Sequence, residues 1–298
     1  MTLFLQQLLN GLSLGAIYAL IALGYTMVYG TLQLINFAHG EVYMMGAFAA
    51  LYIARYTGVA DNPTLPGVAM VAVGAMTACA ILGMLIERLA YRPLRNASRL
   101  NMLITAIGMS LLLQTIALLS FGALQNFPSL LPETQWKVIG VAVRSNDLVI
   151  LGVTLSLMVA LTVIVERTQI GRAMRAVIHS RDAAALMGIP VDRVVAFTFA
   201  LGSVLAGAAA FLVAMDKHSV RPDMGMTGGL KAFVAAVLGG IGSIPGAVAG
   251  GLLLGLAETF VSGYLASTYR DAIAFLLLIG ILLYRPAGLF GKSTVEKV

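Results

Sequence analysis

ERTQIGRAMRAVIHSRDAAALMGIPVDR, residues Glu166–Arg193, is the stretch from which the rest of the chain can be ordered. It is polar and basic, it carries Arg167, Arg172, Arg175, Arg181 and Arg193, and apolar runs flank it on both sides. Within it, SRDAAALMG (residues 180–188) reads as a short, isolated helix. Ser180 can accept a backbone N–H at the helix start. Asp182 falls in the first turn, where the helix dipole favours an anion. Gly188 suits the left-handed position after the last turn, and Pro190 blocks any continuation. A capped helix of this kind between membrane spans predicts a part that another protein grips. The plainer alternative is a solvated loop that happens to be helical.

Composition says what surrounds that loop. The chain has 298 residues, of which 59% are hydrophobic and 11% charged, with a mean hydropathy of +0.93. A soluble domain of this length cannot hide so much apolar surface, so an all-α polytopic membrane protein is expected. The formal charge of +6 could suggest a nucleic-acid partner. The excess sits in loops, and the positive-inside rule accounts for it better. The single Cys79 lies in an apolar run, so neither a disulfide nor a cysteine metal site within one chain is expected. Residues 1–10 lack a basic start, so no cleaved signal peptide is read. The 32 glycines suit helices packed closely in lipid.

Taken in order, apolar segments are expected at 8–29, 42–53, 67–86, 101–121, 148–165, 194–215, 230–238, 244–261 and 272–284. Two polar or glycine-rich interruptions fall among them, QLINFAHGE (Gln33–Glu41) and GGIGSIPG (Gly239–Gly246). Arg88, Arg92, Arg95 and Arg99, the five central arginines, and Arg285, Lys292 and Lys297 make up twelve of the 19 basic residues. These three regions are therefore expected in the cytoplasm. Parity then requires that 31–57 and 230–262 each enter and leave on the outer side as broken, re-entrant hairpins. The result is about eight helical segments with both termini cytoplasmic.

An internal repeat fits this layout. Tyr91-Arg92-Pro93 and Tyr284-Arg285-Pro286 each follow a span. His39-Gly40 before GAFA (Gly46–Ala49) parallels Gly239-Gly240 before GAVA (Gly246–Ala249). The expected division is an N-terminal repeat (8–99), a helix pair (100–165), the central loop (166–193) and a C-terminal repeat (194–290).

Non-helical backbone at membrane depth must be shielded by protein or face water, because an unsatisfied amide in lipid costs several kcal/mol. Both interruptions are therefore expected near a translocation axis, lined by Asn36, His39, Glu41, Gly239, Gly240 and Gly242. An ionisable residue at depth is a functional candidate by default. His39 and Glu41 could equally satisfy freed backbone groups, and for Glu41 that structural role is the favoured one. Glu258 and Lys231 also stand in apolar surroundings; they pair with each other or lie near an interface. Gly242, Gly246 and Gly250, like Gly251 and Gly255, have the spacing of close helix packing.

Several enzyme-like patterns fail their context. Gly11–Gly15 (GLSLG) fits a nucleophile elbow but lies in an apolar helix without triad partners. Gly291-Lys292-Ser293 resembles the end of a phosphate-binding loop, but the position that needs the first glycine is Pro286. The 239–246 break lacks the third glycine and the preceding strand of a dinucleotide loop. No nucleophile–base pair or metal cluster is visible, so catalysis within this chain is not expected.

Asp182-Ala183-Ala184 followed by Gly188 resembles the coupling motif, "EAA…G", of ATP-binding-cassette (ABC) importer permeases, with Asp for Glu. The strings NGLSLGAIYALIALGYTMVYG (Asn10–Gly30), INFAHGE (Ile35–Glu41), ERLAYRPLR (Glu87–Arg95), VLGGIGSIPGAVAGGLLLG (Val237–Gly255) and the terminal VEKV resemble the LivH-type permeases of bacterial branched-chain amino acid importers. The resemblance implies an ABC importer permease fold in the bacterial inner membrane. It implies two cytosolic ATPase subunits, which bind ATP and magnesium, a second related permease and a periplasmic substrate-binding protein. It implies leucine, isoleucine and valine as substrates and a coupling helix built on Arg181, Asp182, Ala183, Ala184 and Gly188. Ala184 and Gly188 are expected to let that helix seat closely on its partner. Relatives that carry urea or short amides leave an alternative substrate class open. A stand-alone channel or secondary transporter using His39 and Glu41 as a proton relay is the second hypothesis.

Overall fold

The computed structural model describes residues 2–95, 97–132, 134–138 and 140–291. Lys292, Lys297, Ser293 and the VEKV string lie outside the described residues. The first half of the chain forms helices α1 (Thr2–Leu32), α2 (His39–Tyr56), α3 (Leu65–Ile86), which continues into a wider π-helical turn at Glu87–Tyr91, and α4 (Arg99–Phe121). Short strands β1 (Gln125–Asn126), β2 (Gln135–Val138) and β3 (Val141–Arg144) follow, and β2 and β3 form an antiparallel hairpin. Then come α5 (Ser145–Arg167), α6 (Gln169–His179), α7 (Arg181–Leu186) and α8 (Val191–Lys217). β4 (Ser219–Val220) pairs with β1. The chain finishes with α9 (Met224–Gly239), α10 (Ile244–Tyr264) and α11 (Arg270–Tyr284). Seven of these segments are long and apolar enough to cross a membrane.

Helix starts follow local chemistry. Thr64, Ser98 and Ser243 each accept the backbone N–H three residues on, at the starts of α3, α4 and α10. Such a cap is worth roughly 1 kcal/mol. α1 and α8 form the enclosed centre, whereas α4, α5 and α11 leave most of their apolar side chains unburied, with Leu119 and Leu283 among the exposed ones. Lipid suits that outer ring, since tails are as apolar as leucine. α1 and α10 run antiparallel with their backbones in contact. A Cβ on Gly15 would stand 2.7 Å from Leu252 Cα, and one on Gly251 would stand 2.5 Å from Ala19 N. Glycine is what permits that seam, as the four-residue spacing on α10 suggested.

The contacts fix which way each helix runs. Gln6, near the start of α1, exchanges hydrogen bonds with the backbone of Ala142 in the β2–β3 hairpin, 3.0 Å from its carbonyl and 2.8 Å from its N–H. Thr31, at the other end of α1, offers its carbonyl to Arg181 of α7. The bundle thus has a hairpin end and a loop end. α1, α3, α5, α9 and α11 run from the hairpin end to the loop end, while α2, α4, α8 and α10 return. The 285–291 tail packs at the loop end, where Leu289 N–H donates to Leu238 O and Phe290 N–H to Gly239 O.

These directions correct the expected topology. The two ends of the described chain, Thr2 and Gly291, lie at opposite ends of the bundle, which does not fit the expected layout with both on one side. The error came from treating 31–57 as a hairpin that enters and leaves on one side. Instead α1 reaches the loop end, residues 33–38 turn back into the bundle, and α2 carries the chain to the hairpin end, where Arg55 meets Gln125 and Asn126. A 31-residue helix such as α1 spans roughly 45 Å and needs no second pass. The triplets α1–α2–α3 and α9–α10–α11 consequently run in the same three directions, and each has its break before the second helix and a Tyr-Arg-Pro after the third.

Candidate functional site

At the loop end, α7 is built as its sequence suggests. Ser180 Oγ accepts from Ala183 N at 3.2 Å, and Gly188, at φ +80°, closes the helix as Ile189 N–H reaches back to Ala184 O. Arg181 donates through Nε and Nη2 to Thr31 O at 3.1 and 2.7 Å, which ties α7 to the end of α1. Partial burial, and then the nearby charge of Arg95, lower the Arg181 pKa below its ordinary value, yet guanidinium stays charged. Arg92 and Arg95 both grip Asp192 at the start of α8, and Arg95 also holds Glu87 at 2.6 Å. The connector after α3, α7 and the foot of α8 therefore form one polar platform.

The side chains of α7 face two ways. Ala184 is buried against its own chain, so its small size seats α7 on this platform and not on a partner. Asp182, Ala183 and Gly188 are exposed. Leu186 and Met187 are 88% and 82% exposed at the tip. Sequence reasoning passed over these two, although a Leu-Met pair just before the closing glycine of a basic loop was the signal available.

The first break lies inside the bundle. Asn36 Oδ1 accepts from Tyr91 Oη at 2.7 Å. The His39 imidazole fills the space left by Gly24 on α1 and packs edge-on to the Tyr25 ring at 4.7 Å. Glu41 stands in the first turn of α2, accepts from Ser110 Oγ at 3.3 Å, and places its other oxygen against Gly225 in the first turn of α9. Two helix N-termini thus converge on one carboxylate, the arrangement their dipoles favour.

The second break does not join them. Gly239 packs on Gly246, Gly240 lies under the tail at Ala287 and Gly291, and Gly242 is exposed at the loop end with nothing near its Cα hydrogen. The expected six-residue lining of Asn36, His39, Glu41, Gly239, Gly240 and Gly242 is therefore two separate places, with most of α9 between them.

A cavity of about 890 Å3 opens from the hairpin end instead. It runs from Gln6 and Asn10 down to Tyr18, Ile21 and Tyr43, with α9, α10 and α11 on its far side. Lys231 lines it and holds Glu258 at 3.1 Å and Asp271 at 2.7 Å, and Tyr18 Oη donates to Glu258 at 3.0 Å. Glu258 is fully buried. Of the two open alternatives for Lys231 and Glu258, direct pairing is the one found. At the mouth, Arg144 binds Asp147 at 2.9 Å, and that hydrogen bond raises the arginine pKa.

The profile of the family described as branched-chain amino acid transport system, permease component, matches residues 7–282. The chain belongs to this family. The permease is 46% identical over 303 residues to the high-affinity branched-chain amino acid transport system permease protein BraD of Pseudomonas aeruginosa, covering 99% of this chain and 98% of that one. It is also 46% identical over 304 residues to the LivH protein of Escherichia coli K12, with the same coverage. A probable LivH of Methanocaldococcus jannaschii is 31% identical over 294 residues, covering 91% and 88%. The platform, the breaks and all of the cavity lining but Gln6 fall inside the matched region.

Proposed function

We propose that this permease is the membrane subunit of an ABC importer that carries leucine, isoleucine and valine across a bacterial inner membrane by alternating access. The match to the permease family over residues 7–282 carries the reading. Relatives named for branched-chain amino acids cover almost the whole chain, which disfavours a urea or short-amide permease and a stand-alone channel. The loop end faces the cytoplasm, where Arg167, Arg172, Arg175, Arg181 and Arg193 stand together. α7, with Asp182, Ala183, Leu186 and Met187 outward, docks on a cytosolic ATPase, and two such ATPases bind ATP and magnesium. Arg181, Ala184 and Gly188 hold α7 in shape for that contact. A second permease completes the membrane part. The hairpin end receives substrate from a periplasmic binding protein through the loops at 122–147 and 216–229. Chain entry is then on the outer side, and α1–α3 and α9–α11 are the two halves of an internal repeat.

The test is uptake by proteoliposomes holding the assembled complex. ATP-dependent accumulation of radiolabelled leucine that requires the binding protein is the expected result. Robust flux through the isolated permease without ATP, or urea uptake without leucine uptake, refutes the assignment.

A further inference from the structure

The cavity at the hairpin end has a chemical character that the family assignment does not explain. Its mouth carries arginines already neutralised by carboxylates, Arg144 on Asp147 and Arg221 on Asp223. Beyond them stands a second pair, Lys231 of α9 and Glu258 of α10, the latter close to the part of α10 (Gly255 and Leu256) that packs on Gly11 of α1. Lys231 is 18% exposed and lines the cavity, and Glu258 behind it is 0% exposed. Glu258 Oε1 has no hydrogen-bond partner among the described residues, nor has Ser13 Oγ, which is buried and lines the same wall. Beside them Leu14, Ile17 and Ile150 give the wall an apolar strip.

A desolvated charge must be paired, because leaving one alone is far more costly than burying the pair. Lys231 Nζ and Glu258 Oε2 stand 3.1 Å apart and pair with one another, while Arg270 Nε, 3.9 Å from the same Glu258 oxygen and 37% exposed, is a second and looser cation beside it. A ligand that separates them must bring one charge of each sign, close together. An α-amino acid does so, since its ammonium and carboxylate share one carbon. A lone amine or carboxylate leaves a net charge in the dry region, and a neutral amide cannot replace either partner. Asp271, on the outer side of Lys231 at 2.7 Å, can keep the lysine in place as the inner pair parts.

Resting on the importer reading above, we propose that this cavity is a sorting site for zwitterionic amino acids. Lys231 receives the α-carboxylate, Glu258 and Ser13 receive the α-ammonium, and the Leu14–Ile17–Ile150 strip takes an apolar side chain. Tyr18 orients Glu258 for this exchange.

The test uses the assembled complex in proteoliposomes with its binding protein. The double variant Lys231→Met with Glu258→Gln removes both charges at similar volume, and the two charges that also met them, Asp271 and Arg270, remain as neighbours of opposite sign nearer to solvent. Leucine uptake falls at least tenfold, while assembly and ATP hydrolysis persist. The reversed pair, Lys231→Glu with Glu258→Lys, made in an Arg270→Gln, Asp271→Asn background so that neither meets a like charge, keeps an ion pair but inverts the site, and its uptake falls at least tenfold below that background. Leu119→Ala, on the outer face of α4 away from the cavity, stays within about twofold of the unaltered complex. Uptake within twofold for the inner double variant overturns the proposal. So does full uptake by the reversed pair, which makes the ion pair structural only, or an equal loss from the Leu119 variant. If the unaltered complex takes up no leucine, the importer reading falls, and the sorting site falls with it.

Discussion

Leu186 and Met187 offer the sharpest test of what α7 is for. Both side chains stand out from the tip of the helix, 88% and 82% exposed. Removing them should therefore leave the stability of the permease unchanged. If an ATPase groove covers them, each buries most of its apolar area on docking. Fully burying such a side chain is worth about 1.5–3 kcal/mol, and alanine retains part of that. The double change Leu186→Ala, Met187→Ala should then weaken docking by roughly 2–4 kcal/mol, about thirty- to several-hundred-fold in Kd. The assay is the affinity of purified ATPase subunits for the solubilised permease pair, measured alongside thermal unfolding of the permease alone. Ala184→Leu is the contrasting change. Ala184 is buried against its own chain, so it should lower the unfolding midpoint first. Unchanged ATPase affinity in the double variant, with the fold intact, would refute the docking role of the tip.

Three further outcomes follow from the geometry. Cys79 is the only cysteine and is buried, so introduced cysteines report alone. An impermeant maleimide should label Leu5→Cys in spheroplasts and reach Ala183→Cys only after permeabilisation, and the reverse pattern would invert the proposed orientation. Gly24→Val should lower the unfolding midpoint by the equivalent of about 1–3 kcal/mol, because a Cβ there meets the His39 ring and stands 2.9 Å from Gly202 O. Gly188→Val meets no neighbour but must hold φ +80°, which costs roughly 1–2 kcal/mol. An assembled complex with ATP hydrolysis uncoupled from uptake is expected, and unchanged uptake counts against it.

Local chemistry was the most legible part of the sequence. Ser180, Gly188 and Pro190 act within a few residues of themselves, so the short helix could be read from its own caps. Long apolar runs gave the spans for the same reason. Direction was not legible across residues 33–38, because a loop that turns back into the bundle and one that stays outside have the same composition. One miscounted crossing then placed both chain ends on one side. Ala184 and Leu186 could not be told apart by size or hydropathy alone. Which of them is covered depends on how α7 is held against the bundle, and the contact that ties it there, Arg181 to Thr31, comes from 150 positions away. The cavity was invisible for a similar reason: Tyr18 and Glu258 are 240 positions apart, and only the α1–α10 seam brings them together.

That seam has a mechanical consequence. α1 is one uninterrupted rod with Arg181 fastened to its foot and Gln6 at the rim of the cavity. The stretch between Gln6 and Thr31 is about 37 Å long, so a tilt of roughly 5° at the foot swings the rim by about 3 Å. Three ångströms is the length of a hydrogen bond. A modest push from below is therefore enough to break or make a whole ring of polar contacts above, with no relay of small rearrangements in between.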